Sequence, residues 1–211
     1  KVCTATLVAP DVIVTADHCT EDGDLKTRDP EEYKFYVGYN NGSYGAMSGV
    51  TSISAPETSV NGAILPGGEN EVGYSANDIA FMKLEKRLGD IYGHDVIASE
   101  QLDTLPNGEH YQGQQLGYGV KYGPFLTGDL QVSFNHHFMQ EKVLIMQCEI
   151  APGDSGGPLF IYAGGDDNPD RQRYLYGIIS EITTGGKFAT SIAGQEVPDF
   201  GQGQSGRVYS F

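Results

Sequence analysis

The sequence predicts an all-β fold of antiparallel strands, either a barrel or a sandwich. Of its 211 residues, 29 are Gly and 13 are Tyr, whereas the Ala-, Glu-, Lys- and Leu-rich runs typical of helices are scarce. Short segments rich in β-branched and aromatic residues follow one another along the chain. Turn signals such as Asn40-Asn41-Gly42 and Pro66-Gly67-Gly68 separate them. Many short strands with frequent turns are typical of antiparallel barrels and sandwiches.

The strand candidates can be placed along the chain. The first two are split by the turn signal Pro10-Asp11, which predicts a hairpin. We predict strands within residues 3–10, 11–16, 33–38, 79–84, 113–119, 130–134, 142–148, 156–162 and 173–180. The breaker Pro106-Asn107-Gly108 is the best candidate for a seam inside one domain, giving halves of 1–105 and 106–211.

Charge excludes several classes of partner. The formal net charge of −15 repels phosphate backbones and anionic lipid surfaces, so we expect neither nucleic acid nor a membrane as a partner. The longest apolar runs, 143–146 and 159–163, are far shorter than a membrane span. Two acidic clusters, within 21–24 and 166–170, could offer oxygen ligands to calcium, but without the spacing of a known loop they favour solvated loops. We expect a monomer without a cofactor.

One serine has the surroundings of a nucleophile. Ser155 lies between glycines in the sequence GDSGG, just before an apolar segment. Such glycines allow a tight turn that exposes the hydroxyl and lets backbone N–H groups face a developing oxyanion. The same residues satisfy the G-x-S-x-G elbow of α/β-hydrolases, in which the histidine follows the serine. All five histidines here precede Ser155, so the order histidine, aspartate, serine remains open.

The adjacent residues Asp17, His18 and Cys19 allow two interpretations. A metal site would need three or four converging ligands, and neighbours in sequence seldom converge. The alternative is one corner of a catalytic site whose other members lie far along the chain. With only three cysteines, one pair and one leftover thiol is the simplest reading, and Cys148 is either buried or paired outside this sequence.

Four separate segments, taken in order, resemble the chymotrypsin/trypsin-like serine proteases. They are CTATLVAPDVIVTADHC (3–19), NDIAFMKLEK (77–86), PGDSGGPLF (152–160) and LYGIIS (175–180). The segment CEIAPG (148–153) is closer to glutamyl-endopeptidase-like relatives. The resemblance implies two six-stranded antiparallel Greek-key β-barrels with the active site in the cleft between them. A chance match of the whole ordered set is improbable.

The resemblance also implies roles for individual residues. His18 would be the general base, Asp78 would orient it and Ser155 would be the nucleophile. The N–H groups of Gly153 and Ser155 would form the oxyanion hole. A disulfide between Cys3 and Cys19 would pin the turn that carries the histidine. Asp17 is a poor substitute for Asp78, since neighbours along an extended chain point to opposite sides.

The primary specificity pocket gives conflicting indications. By resemblance, Ser180, Glu181 and Ile182 belong to the substrate-binding strand, and Glu149 falls at the base of the pocket. A carboxylate there favours Lys or Arg before the scissile bond. Ile182 stands where the trypsin-like enzymes keep a glycine and would narrow the pocket. The weak preference that results is for basic residues.

The chain ends also carry expectations. In the family, the aspartate before the serine pairs with the ammonium of a processed terminus, and here that aspartate is Asp154. Either an upstream segment or propeptide supplies the ammonium, as in a zymogen, or the oxyanion turn is not fully formed. We expect the first, an N-terminal segment that these 211 residues do not include. Residues 186–192 are the preferred candidate for the pocket-closing strand, followed by a terminal helix at 193–200; the alternative strand is 206–211.

The leading functional hypothesis is a secreted serine endopeptidase that acts on protein or peptide substrates. A disulfide would place it in an oxidising compartment. The alternative is an inactive protease homologue that binds a partner, and a weaker one is a β-rich structural domain. Reactivity of Ser155 with a fluorophosphonate separates the first two.

Overall fold

The structure is a computed structural model that describes residues 2–21, 28–55, 78–100, 111–137, 140–163, 172–183, 186–200 and 206–207. Its strands fall into two sheets, which follow one another along the chain except that the short last strand returns to the first sheet. The first sheet contains β1 to β5, at Thr6–Ala9, Val12–Thr15, Lys34–Val37, Ala46–Ser54 and Ala80–Leu84, and the short β12 at Gly206–Arg207. The second contains β6 to β11, at Tyr111–Gln115, Val132–His137, Gln140–Gln147, Pro158–Ala163, Gln172–Thr183 and Gly186–Ser191.

The second sheet closes on itself and the first does not. The barrel order is β10-β11-β8-β7-β6-β9, with β9 pairing back onto β10. The first sheet runs β1-β2-β5-β4-β12 with β3 on β4. Among the described residues β1 pairs only with β2 and β3 only with β4, and a cavity of about 1120 Å³ lies between them. The predicted all-β double barrel is confirmed, but the first half is a curled, open sheet.

The nine predicted strand segments all contain strands, and the prediction missed β4. That strand reads AMSGVTSIS, which lacks the apolar alternation expected of a strand. Its buried side chains include Ser48 and Ser52, each with 0% of its surface exposed. Burial of Ser48 is tolerated because its hydroxyl is bonded: it donates to the carbonyl of Gly49 and accepts from the N–H of Lys86.

The C-terminal end of the described chain is partly as expected. Residues 186–191 form the strand β11, as predicted, and it pairs with β8 and β10. The helix expected at 193–200 is wrong, because those residues are a turn followed by irregular chain. Gly194 adopts φ +75°, Pro198 lacks an N–H, and Phe200 packs into the core without a helix to carry it. Residues 201–205 and 208–211, like the seam predicted at 106–108, lie outside the described residues.

Apolar packing holds the two sheets together. One core cluster combines Val12 and Val14 of β2 with Leu175 and Ile178 of β10. All four side chains are almost fully buried, with at most 3% of their surface exposed. Each such side chain contributes about 1.5–3 kcal/mol by leaving water. The ends of β2 and β10 are therefore fixed against each other, and the residues with candidate chemistry lie at those ends. Among the described residues, no helix has the length and apolarity needed to cross a membrane.

Candidate active site

The structure joins the predicted histidine to the predicted aspartate. His18 lies in a single 3₁₀ turn, Asp17–Cys19, directly after β2, and Asp78 lies two residues before β5. Nδ1 of His18 is 2.8 Å from Oδ2 of Asp78, and the His18 backbone N–H donates to Oδ1 at 2.9 Å. Pairing of β2 with β5 brings the two segments together. Both carboxylate oxygens therefore hold one histidine, which fixes the ring and its tautomer.

Asp78 is kept ionised despite its burial. Only 5% of the residue is exposed. Burial by itself raises the carboxyl pKa, but the hydrogen bonds and charge of His18 and the hydroxyl of Ser180 outweigh it and hold the pKa of Asp78 below its ordinary value. The Ser180 hydroxyl donates to Oδ2. Pairing of β10 with β11 shifts register across Ser180, a bulge that re-aims this residue. Ser180, expected only to contact substrate, thus also positions Asp78.

The carboxylate of Asp17 serves a different purpose. It accepts a hydrogen bond from the hydroxyl of Thr20 at 3.0 Å, which stabilises the 3₁₀ turn. A disulfide joins Cys3 and Cys19, the pair that the resemblance implies. Ligand atoms of Cys3, His18 and Cys19 lie within 4.8 Å of one another. Sulfurs bonded to each other offer no thiolate, so this group does not fit a metal ion while the disulfide is intact.

Ser155 lies on a tight turn that only glycine permits at two positions. Gly153 adopts φ +102°, and a Cβ there would lie 2.4 Å from the carbonyl oxygen of Tyr118. Gly156 adopts φ +82°, and its Cβ would lie 2.1 Å from both the hydroxyl of Thr15 and the carbonyl oxygen of Thr4. Any larger residue at either position combines backbone strain with a collision. The glycines at these two positions of the GDSGG motif are therefore required by the lack of room for a side chain as well as by the backbone conformation.

Thr4, which the sequence did not single out, ties this turn to the first sheet. Its hydroxyl donates to the carbonyl of Gly153 at 2.8 Å and accepts from the N–H of Tyr118 at 3.0 Å. Its N–H donates to the carbonyl of Ser155 at 2.8 Å. Its own carbonyl accepts from Thr15. These partners are as far as 149 residues away in sequence, so no local signal could identify Thr4.

The histidine and the serine turn lie side by side. Nε2 of His18 is 3.8 Å from Sγ of Cys19, and the carbonyl oxygen of Ser155 is 3.9 Å from the same sulfur. The disulfide thus lies beside both residues. On the opposite side, β10 holds the turn: Gly156 donates to the carbonyl of Ile179, and Ile179 donates to the carbonyl of Gly157, each at 2.8 Å.

The two N–H groups expected to form an oxyanion hole have no acceptor in the part of the chain that the structure describes. Within the described ranges, neither the N–H of Gly153 nor that of Ser155 meets a hydrogen-bond acceptor, whereas the neighbouring N–H groups of Asp154, Gly156 and Gly157 all do. Backbone donors that remain unpaired in a folded turn are available to an external oxyanion.

Asp154 is buried and only partly satisfied. Its Oδ2 accepts from the N–H of Ala151 at 2.7 Å, whereas Oδ1 has no hydrogen-bond partner in the described part of the chain. Burial raises the pKa of Asp154, although the N–H groups of Ala151 and Gly119 act in the opposite direction. Oδ1 packs against Gly117, where a Cβ would lie 2.2 Å away. Pairing of Asp154 with a chain terminus stays a prediction.

The structure describes the predicted pocket residues only in part. Glu149 is exposed, and its carboxylate forms an ion pair with Lys121 at 3.1 Å. Its charge is therefore already balanced at the surface, which weakens the reason for expecting basic substrates. Glu181 and Ile182 belong to β10, but their side chains lie outside the described part of the structure. His18, Asp78, Ser180 and the Ser155 turn are brought together.

A comparison with protein-family models decides the family. The trypsin model matches residues 1–194. The chain belongs to the trypsin family. No curated protein sequence matches the chain significantly.

Solved structures agree on the fold. A Glu endopeptidase in complex with MPD superposes with a TM-score of 0.65 at 17% identity, covering 90% of this chain and 80% of that one. Protease Anisep from Arthrobacter nicotinovorans gives 0.56 at 16% identity, covering 90% of this chain and 83% of that one. At such identities the likeness is one of fold. Family and fold together support a serine protease of the trypsin type.

Proposed function

We propose that this trypsin-family chain is a secreted endopeptidase that cleaves peptide bonds through an acyl-enzyme, with His18, Asp78 and Ser155 as its triad. The main support is the imidazole of His18, held at Nδ1 by a buried carboxylate and placed beside the Ser155 turn. A histidine held at Nδ1 in this way acts as a general base when its other nitrogen, Nε2, faces a group that can give up a proton, such as a serine hydroxyl.

The reaction would follow from this arrangement. Nε2 of His18 takes the proton of the Ser155 hydroxyl as Oγ attacks the substrate carbonyl carbon. The carbonyl oxygen becomes an oxyanion and accepts from the N–H groups of Gly153 and Ser155, a contribution of about 3–4 kcal/mol per donor. The imidazolium, stabilised by Asp78, then gives its proton to the leaving amine. The same histidine then takes a proton from a water molecule, which attacks the acyl-enzyme and releases the carboxylic acid product.

Secretion is supported by the disulfide. A bond between Cys3 and Cys19 persists in an oxidising compartment and would be reduced in most cytosols. Mass spectrometry of the protein purified from its natural source, with and without a reductant, tests this point. Free thiols at both positions would contradict it.

An activity-based label provides the test of the catalytic proposal. A fluorophosphonate is expected to add once, on Ser155, with loss of fluoride. Replacement of the nucleophile, Ser155→Ala, should abolish labelling, and His18→Gln should slow it by several orders of magnitude. Thermal unfolding of each variant checks that it is folded. A folded wild-type protein that takes no label would contradict the proposal.

An inactive homologue that binds a partner is the second candidate. It is favoured by Asp154, whose buried Oδ1 has no partner among the described residues, since a turn built around an uncompensated carboxylate is costly to keep in the catalytic geometry. The same label decides: a folded chain with an unreactive Ser155 is the result that this candidate requires.

A further inference from the structure

We propose that Lys187 determines the substrate specificity of this protease and that it selects an acidic residue, Glu or Asp, immediately before the scissile bond. The inference rests on the proposed function, because it takes the substrate carbonyl to lie against Ser155. It extends that function by naming the substrate class. It also replaces the basic preference that the sequence favoured.

Lys187 lies where three segments around the serine meet. It is the second residue of β11 and pairs with Ile182 of β10 on one side and with Met146 of β8 on the other. Its ammonium donates to the carbonyl of Cys148, directly before Glu149. The same stretch of β10 is bonded to the serine turn through Ile179. Lys187 therefore lies between the two segments that we predict as walls of the primary pocket, residue 149 and residues 180–182.

The side chain projects toward the end of the barrel. Alternate residues of a strand share a face, so Lys187 lies on the same face as Ala189. Ala189 packs in the barrel core with Met146 and Cys148. Lys187 is the second residue of β11, and its ammonium reaches the carbonyl of Cys148, a residue of this apolar core.

Among the residues that the structure describes, the charge of Lys187 has no carboxylate partner. Lys83 and Lys187 are the half-buried lysines of the described ranges. Lys83 forms an ion pair with Asp11 at 2.9 Å. Lys187 forms no ion pair with any described residue, and its recorded partner is the neutral carbonyl of Cys148. The contrast is informative because carboxylates are in excess in this chain, which has 28 acidic and 13 basic side chains.

A half-buried ammonium without a counter-ion is unfavourable, because desolvation is not offset by a charge partner. A substrate carboxylate entering between the two walls would supply that partner through a charge-assisted hydrogen bond. A lysine or arginine side chain in the same place would be repelled. Glu149 does not reverse this preference, since its carboxylate is exposed and bound to Lys121.

The test uses internally quenched peptides that are identical except for one residue, Glu, Gln or Lys, with the cleaved bond identified by mass spectrometry. For the wild-type protein we expect kcat/KM after Glu to exceed that after Gln by about 10–100-fold, and cleavage after Lys to be slowest. In Lys187→Met, whose side chain is of similar length but uncharged, the Glu to Gln ratio should fall to near one. In Lys187→Glu it should drop below one, and the Lys peptide should become the best substrate.

Two controls keep the outcomes distinct. Lys83→Met removes the other half-buried lysine and should leave the Glu to Gln ratio unchanged. Fluorophosphonate labelling of Ser155 in each variant reports a folded, reactive site independently of the peptide. If the wild-type protein is labelled but does not prefer Glu, or if Lys187→Met keeps the preference, the assignment of Lys187 is wrong and the proposed function stands. If the folded wild-type protein takes no label, the proposed function fails and this inference fails with it.

Discussion

Removal of the Thr4 hydroxyl is the most direct test of how the serine turn is held. Thr4→Val keeps the shape of the side chain, so it creates no cavity. It removes the donor to the Gly153 carbonyl and the acceptor for the Tyr118 N–H. Thr4 is 4% exposed, so water cannot readily replace the hydroxyl. Thr4→Ser is the matched control, because it keeps both hydrogen bonds and loses only a methyl group.

The magnitude follows from the number of groups left unpaired. Each buried group that loses its partner costs about 1–3 kcal/mol, so two such groups predict a loss of about 2–6 kcal/mol in the free energy of unfolding for Thr4→Val. Loss of one buried methyl predicts about 1 kcal/mol for Thr4→Ser. Urea unfolding followed by fluorescence measures both. The reasoning requires the valine variant to be clearly less stable than the serine variant.

The same substitution should affect reactivity, because Thr4 holds the carbonyl groups on either side of Asp154. A shift of this turn moves the N–H groups that would bind the oxyanion, and loss of one such donor costs about 10²–10³ in rate. We expect labelling of Ser155 to slow by about tenfold or more in Thr4→Val and to change little in Thr4→Ser. Equal stability and equal labelling in the two variants would refute the role given to Thr4.

Three further predictions concern titratable groups. Asp78→Asn should lower the rate of Ser155 labelling by about 10⁴, because the histidine of a Ser-His-Asp triad that loses its orienting carboxylate is held in the wrong tautomer. Burial raises the pKa of Asp154 in the folded protein above its ordinary 3.8. The stability due to its protonated form is therefore fully present below pH 3.8 and is lost as pH rises through the raised pKa. Asp154→Asn should therefore gain stability relative to the wild-type protein in urea unfolding as pH rises above 3.8, and a difference that does not change with pH would contradict this. Burial raises the pKa of the Cys148 thiol to about 11, so iodoacetamide at neutral pH should alkylate it only after unfolding, and rapid labelling of the native protein would show that the thiol is accessible.

The strands were predictable wherever burial is carried by apolar side chains. Val12 and Val14 predict β2 because they are apolar and β-branched, and apolar residues predict the barrel strands in the same way. Strand β4 was missed because its inward positions include Ser48 and Ser52, whose fitness for burial depends on hydrogen bonds. One of those bonds comes from Lys86, 38 residues away, which a local pattern cannot contain.

The residues of the candidate site were likewise predictable only where a local sequence motif surrounds them. His18, Asp78 and Ser155 are each embedded in a local motif, because the chemistry demands particular neighbours such as the glycines around the serine. Thr4 and Lys187 have no such motif, and their importance comes from what the fold places beside them. Glu149 illustrates the converse: its position suggested a pocket carboxylate, yet an ion pair with Lys121 balances its charge at the surface. A residue's charge therefore predicts specificity only after its internal partners are known, and on that criterion the cation at Lys187 is a better guide to the substrate than the anion at Glu149.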